Sequence, residues 1–154
     1  MKILMVCLGN ICRSPLAEGI LLAKLKNHFP DLLIDSAGTI GMHAGQEPDV
    51  RSIATAAAHD LDISKQLSRK FIAADFKEFD FIFAMDQANK RDILMLANSK
   101  EEQNKVHLFL EFAGFKDGSE VPDPYYGGKR DFEEVYQLLD KASILVAKKL
   151  LQMI

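Results

Sequence analysis

Four short apolar runs punctuate the chain, and polar or glycine-bearing stretches separate them. KILMV at 2–6, LLID at 32–35, DFIFAM at 80–85 and VHLFL at 106–110 are near-continuous rather than alternating. Strands buried on both faces read this way, whereas a strand with one wet face alternates. Between the runs the spacing becomes helical. Leu16, Ile20, Leu21, Ala23 and Leu25 predict a helix to about Phe29, with Pro15 in its first turn and Pro30 as its stop. Pro48 opens an alanine-rich helix to about His59. Residues 70–78 suggest a short helix, Gln87 to about Ala97 another, and 131–152 a long amphipathic one. EEQNK at 101–105 reads as a polar surface turn.

Strands that alternate with helices are the signature of βαβ units. The expected fold is therefore α/β: one domain over residues 1–154, a three-layer α/β/α sandwich around a four-stranded parallel sheet. Ligands of such folds bind beyond the carboxyl ends of the strands. The segments 7–14, 36–47, 86–89 and 113–130 each follow a predicted strand, so the search for chemistry starts there.

Charge and composition narrow the partners. A net charge of −3 supplies no global field for nucleic acid. The opening apolar run is too short for a secretory signal, and no run approaches the roughly 20 apolar residues of a membrane span. A cytoplasmic monomer without nucleic-acid or membrane partners is expected. In that compartment Cys7 and Cys12, the only cysteines, are thiols. His28, His43, His59 and His107 have no metal-ligand spacing, and nothing asks for a metal or organic cofactor. For His43, in a loop that follows a strand, substrate contact and surface placement are both open, with surface placement favoured.

The segment Cys7-Leu8-Gly9-Asn10-Ile11-Cys12-Arg13-Ser14-Pro15 runs from the first strand into a helix N-terminus. Unpaired N–H groups and the helix dipole favour an anion there, and a loop with inward-facing N–H groups forms a nest for a tetrahedral oxyanion. Gly9 and Asn10 tolerate the positive φ that such a curl requires. Arg13, six positions after Cys7, is placed to fork across two phosphate oxygens. Donors and positive charge around a sulfur favour its thiolate, which beneath a bound phosphate is placed for in-line attack. Ser14 can donate to that sulfur. Chance supplies only roughly 0.06 Cys-x5-Arg pairs in a chain of this composition. The plain alternative is an inert buried thiol with an arginine capping something nearby.

This nine-residue loop resembles the active-site loop of the low-molecular-weight protein tyrosine phosphatases. Asp35-Ser36-Ala37-Gly38-Thr39, Phe83-Ala84-Met85-Asp86 with Asn89, and Val121-Pro122-Asp123-Pro124-Tyr125-Tyr126-Gly127 resemble further segments of that family, so the likeness spans nearly the whole chain. It implies hydrolysis of phosphotyrosine in proteins and of small aryl phosphates through a phosphocysteine. Cys7 is then nucleophile, Arg13 stabilises the transition state, and Asp123 is general acid and later general base. Leu8, Gly9, Asn10, Ile11, Cys12 and Arg13 form the phosphate-binding loop. Asn10, Ser14, Ser36 and Asp86 support it, while Leu8, Met42, Tyr125 and Tyr126 line the substrate cleft.

Two departures from the family pattern stand out. Gln66 occupies the place where many relatives carry a histidine that fixes the loop asparagine, and Met42 stands where many have an aromatic. The aliphatic Ile11 resembles the tyrosine-directed branch, since a phosphoarginine-directed branch carries threonine there. Cys12 beside Cys7 suggests a protective disulfide under oxidation. Three other functions remain open: arsenate reduction, which with no cysteine beyond Cys12 needs an external thiol; a phosphocarrier, in which Asp123 is superfluous; and phosphate recognition without turnover.

Overall fold

The computed structural model describes residues 1–154. Four strands, β1 (Lys2–Cys7), β2 (Leu33–Gly38), β3 (Phe81–Ala84) and β4 (Val106–Leu108), form one all-parallel sheet in the order β2-β1-β3-β4. Seven helices accompany it: α1 (Arg13–Leu25), α2 (Val50–Ala58), α3 (Asp75–Glu78), α4 (Gln87–Leu94), α5 (Lys100–Gln103), α6 (Phe109–Ala113) and α7 (Lys129–Gln152).

Alternation along β1 sorts the core into two layers. Ile3, Met5 and Cys7 pack with Leu16, Ile20 and Leu21 of α1 and with Val135, Leu139 and Val146 of α7. Leu4 and Val6 face the opposite way, into Phe71, Phe76, Phe79, Ile82 and Ile93. Both faces of the sheet are therefore dry, which is why its strands read as unbroken apolar runs. This is the expected α/β fold, with helices on both sides of a four-stranded parallel sheet. The chain leaves β1 toward β2 on one side and later returns to β3 on the other. The carboxyl end of β1 is therefore a switch point, where a crevice opens.

Several boundaries differ from the expectation. In VHLFL the strand stops at Leu108, and Phe109 and Leu110 begin α6. Both residues are buried, and an apolar run alone does not separate a buried strand from a buried helix. Gly114, at φ 104°, closes that helix. Within EEQNK, residues 101–103 belong to α5, whose N-terminus is capped by Ser99 Oγ accepting from the Glu102 N–H at 3.1 Å. Only Asp75–Glu78 of the 70–78 segment is helical, because Lys70 is drawn into a bridge with Gly38. Helix α1 begins at Arg13 and ends at Leu25; Lys26, Asn27 and His28 are polar and exposed and form a turn. Helix α4 stops at Leu94, and α7 begins at Lys129. Strand β2 runs on to Gly38, so that Ala37 and Gly38 register with Val6 and Cys7.

That register brings Gly38 against the loop after β1. A Cβ at Gly38 would lie 2.8 Å from the Leu8 carbonyl oxygen, 3.0 Å from that of Ile40 and 3.1 Å from the Gly9 carbonyl carbon. All three are backbone atoms and cannot swing aside. Gly38→Ala is expected to lower stability by about 1–3 kcal/mol, the scale of overpacking. Thermal melts check this, and an unchanged melting temperature would remove the steric argument.

Candidate active site

Between β1 and α1 the backbone curls so that its carbonyls turn outward. The Cys7 oxygen accepts from the Thr39 N–H (2.9 Å), the Leu8 oxygen from Ile40 N–H (3.1 Å) and the Ile11 oxygen from Asp49 N–H (2.8 Å). The Asn10 oxygen accepts from Ser68 Oγ at 2.6 Å and the Cys12 oxygen from Ser52 Oγ at 3.3 Å. In a trans peptide the next N–H points opposite to the carbonyl, and no cis bond occurs in the chain. The N–H groups of Leu8, Gly9, Ile11, Cys12 and Arg13 are therefore turned to the inside of the curl. None of the N–H groups from Leu8 to Cys12 donates a hydrogen bond within the protein. Helix α1 adds an N-terminus without a side-chain cap. Such a concavity of free donors is built for an anion.

Asn10 makes the curl possible. It sits at φ 58°, in the left-handed region, with its side chain buried. Every polar group of its amide is used. Nδ2 donates to Ser14 Oγ (2.8 Å) and Ser36 Oγ (2.9 Å), and Oδ1 accepts from the Arg69 N–H (3.0 Å). A hydroxyl that accepts from Asn10 still has its own proton to give. Ser14 Oγ lies 3.0 Å from Cys7 Sγ and gives that proton to the sulfur whenever the sulfur is a thiolate. Ser36 favours the charged form of the half-buried Glu18 carboxyl. Gln66, in contrast, does not reach Asn10. Its Nε2 donates to the Pro15 carbonyl at 3.0 Å and its Oε1 has no partner. Ser68 and Arg69 hold the loop asparagine instead.

Cys7 and Arg13 are both 3% exposed. Arg13 Nη1 donates to Asp86 Oδ2 (2.6 Å) and to the Val121 carbonyl (3.1 Å), and Nη2 lies 3.8 Å from Asp123 Oδ2. Burial works against the guanidinium charge, but Cys7, Asp86 and Asp123 outweigh it and hold the arginine above its usual range. Asp86 also caps α4, its Oδ1 accepting from the Asn89 N–H at 2.8 Å. Asp123 is partly exposed, and its Oδ1 accepts from the Tyr125 N–H at 3.1 Å. Burial, then Asp49, Cys7 and Asp123, push Cys12 up to about 12, so at neutral pH it is a thiol. Neither cysteine is in a disulfide.

A cavity of about 270 Å³ rises from Cys7, lined at its base by Leu8, Gly9, Ile11, Cys12 and Arg13. Ile40, Met42, His43, Asp123, Tyr125 and Tyr126 line it above. Sequence reasoning omitted Ile40 and favoured the surface over the cleft for His43. It also missed Ser52, Ser68 and Asp49, whose contacts are to backbone carbonyls and leave no motif. No three His, Cys, Asp or Glu side chains cluster as a metal site.

A parallel α/β fold with a thiol under an amide-lined anion cradle, an arginine at its rim and a carboxylate at its mouth is the architecture of a cysteine-centred phosphatase. The sequence model of the low molecular weight phosphotyrosine protein phosphatase family matches residues 2–153, and the chain belongs to that family of hydrolases. A putative low molecular weight protein-tyrosine-phosphatase of Synechocystis sp. is 41% identical over 144 residues, covering 92% of this chain and 91% of that protein. The human low molecular weight phosphotyrosine protein phosphatase is 39% identical, covering 88% and 87%. A protein tyrosine phosphatase of Entamoeba histolytica superposes with a TM-score of 0.92 at 37% identity, covering 99% of this chain and 98% of that one. A Drosophila arginine phosphatase superposes with a TM-score of 0.89 at 32% identity, covering 97% and 98%.

Glu18 generates a pH prediction. Burial pushes it from 4.5 up to about 7; Ser36 and Arg69 oppose the shift, and Asp35 adds to it. The folded state therefore binds this proton more tightly than the unfolded chain. Below pH 4.5 the group costs nothing, the cost grows as pH rises toward 7, and above 7 it is complete. Glu18→Gln is expected to stabilise the protein at pH 8 by on the order of 1–3 kcal/mol, with the difference vanishing near pH 4. Urea denaturation at the two pH values checks this, and an equal difference at both would refute it.

Proposed function

We propose that this chain hydrolyses phosphotyrosine in proteins, and small aryl phosphates, through a phosphocysteine intermediate. The observation that carries the proposal is the orientation of the peptide planes around Cys7. Five N–H groups face one concavity suited to the equatorial oxygens of a transferring phosphoryl group, and Arg13 lines the same cavity. Donors fixed before the reaction need no reorganisation during it, and in most catalysis of this kind they do more than any other single effect to lower the barrier.

Cys7 Sγ attacks phosphorus as a thiolate and the ester oxygen leaves on the opposite side. Ser14 donates to the sulfur, both before attack and when the sulfur later becomes a leaving group. Asp123, at the mouth of the cavity, protonates the departing phenolate. The same carboxylate then takes a proton from the water that attacks the phosphocysteine, releasing inorganic phosphate and restoring Cys7. Asp86 and the Val121 carbonyl keep the Arg13 fork aimed at the loop. Leu8, Ile40, Met42 and Tyr125 give the cavity apolar walls suited to an aryl ring. Met42, 75% exposed, is a flexible wall in place of an aromatic one. No helix is long and apolar enough to cross a membrane, and a nucleophilic thiol with a second thiol beside it suits the reducing cytoplasm.

Ile11 lines the cavity with an aliphatic side chain and favours phosphotyrosine over phosphoarginine. Turnover of a phosphotyrosine peptide beside a phosphoarginine peptide tests this, with phosphotyrosine expected to be preferred. Cys7→Ser is expected to abolish turnover of both. Asp123→Asn is expected to slow phenyl phosphate hydrolysis by about 10²–10⁴-fold, the usual share of general acid catalysis. An active Cys7→Ser protein would overturn the mechanism, and an unimpaired Asp123→Asn protein would remove the carboxylate from it.

A further inference from the structure

The segment that carries Asp123 is tied down firmly at one end. The Val121 N–H donates to the Met85 carbonyl at 2.8 Å, the Val121 carbonyl accepts from Arg13, and Glu120 accepts from the Gln87 N–H at 2.8 Å. Pro122 to Tyr126 then span the mouth of the cavity, where the only side-chain hydrogen bond is Tyr125 N–H to Asp123. At the far end stands Arg51, on the first turn of α2, outside the loop and outside every motif in the sequence. Its Nη1 donates to the Gly127 carbonyl at 3.2 Å. The guanidinium carbon lies 5.5 Å from the centre of the Tyr125 ring and 4.5 Å from that of Phe132.

Arg51 is itself gripped from the phosphate-loop side. Nε and Nη2 donate to the two oxygens of Asp49, at 3.0 and 2.9 Å, and the Arg51 N–H donates to Oδ1 at 2.9 Å. The Asp49 N–H donates in turn to the Ile11 carbonyl. A continuous path therefore runs from the outward carbonyl of the phosphate loop, through Asp49 and Arg51, to the backbone and aromatic ring beyond the acid. Only a guanidinium has the fork for the bidentate grip, a further donor for Gly127 and a flat face for two rings.

We propose that Arg51 is a positioning residue, bridging the phosphate loop to the Asp123 segment and setting the acid over the leaving oxygen. The inference rests on the mechanism above and adds to it a residue that touches neither phosphate nor nucleophile. Its consequence is selective. Loss of Arg51 harms the step that needs a proton from Asp123 and spares the step that does not.

Two substrates separate these. Phenolate leaves poorly without a proton, whereas p-nitrophenolate leaves well without one, and both rings meet the same Tyr125 wall. The measurement is kcat/KM, which reports transfer to Cys7, for wild type, Arg51→Ala, Arg51→Lys and Asp49→Asn, with thermal melts confirming that each is folded. Arg51→Ala is expected to lose about tenfold or more on phenyl phosphate and under about threefold on p-nitrophenyl phosphate, a part of the general-acid contribution. Arg51→Lys is expected to recover little, and Asp49→Asn to show a smaller loss of the same sign. In an Asp123→Asn background, Arg51→Ala is expected to cost nothing further on phenyl phosphate. Equal losses on both substrates, or losses that add to that of Asp123→Asn, overturn the proposal. If Arg51→Ala does not fold, the substrate ratio of Asp49→Asn decides alone, and an unchanged ratio overturns it. A wild-type protein inactive on both substrates, matching Cys7→Ser, refutes the phosphatase mechanism instead.

Discussion

Outward carbonyls around Cys7 are the constraint on which the rest of this molecule hangs. A peptide plane can offer its N–H to an anion only if its carbonyl is satisfied on the other side. Five carbonyls of the loop need five donors, and those come from Thr39, Ile40, Asp49, Ser52 and Ser68. An orphaned backbone group in such a site costs about 1–3 kcal/mol, so each donor must be held in place by the fold. Extension of β2 through Gly38 brings Thr39 and Ile40 alongside. The first turn of α2 supplies Asp49 and Ser52, and the irregular stretch before Phe71 supplies Ser68. The site is assembled from parts distant in sequence because one short loop must be surrounded.

Asn10 converts that surround into chemistry. Its amide donates to two hydroxyls at once and leaves the Ser14 proton free to be given to a thiolate at Cys7. Alanine at this position would lose all three side-chain hydrogen bonds and meet the left-handed backbone penalty as well. Arg13 is governed by a similar economy of placement. A buried guanidinium is costly unless paired, and pairing it with Asp86 and a carbonyl leaves Nη2 directed toward the cavity mouth and Asp123. The ion pair is better understood as aiming a charge than as stabilising the fold.

The two-sided burial of the sheet was legible in the sequence because it imposes unbroken apolar runs at 2–6 and 80–85. The phosphate loop was legible because its chemistry is compressed into nine consecutive residues. VHLFL was misleading, since Phe109 and Leu110 are buried whichever secondary structure they adopt. Gln66 was misleading for a different reason: alignment gives a position but not the direction of an amide, and this one turns to Pro15. Ser52 and Ser68 were invisible, because a hydroxyl that serves a remote backbone carbonyl carries no local signal. His43 lines the cleft because its loop folds over Gly9, its Cδ2 lying 3.1 Å from where a Gly9 Cβ would stand. That close approach is a tertiary fact with no period or spacing to announce it.

The acid segment shows how rigidity and reach are reconciled. In the proposed mechanism Asp123 approaches Arg13 closely and also gives up and recovers a proton at a mouth open to water. Anchoring at Val121 ties the segment to the same arginine that faces the phosphate, and anchoring at Gly127 ties it to the carbonyl side of the phosphate loop through Asp49 and Arg51. Between the anchors, prolines on both sides of Asp123 restrict the backbone without using hydrogen bonds that water at the mouth would contest. Tyr125 lines the cavity and has the Arg51 guanidinium 5.5 Å from its ring centre. Under the proposed mechanism a substrate ring packed on Tyr125 would press on the same bridge that holds the acid, joining recognition of the aryl group to placement of the proton.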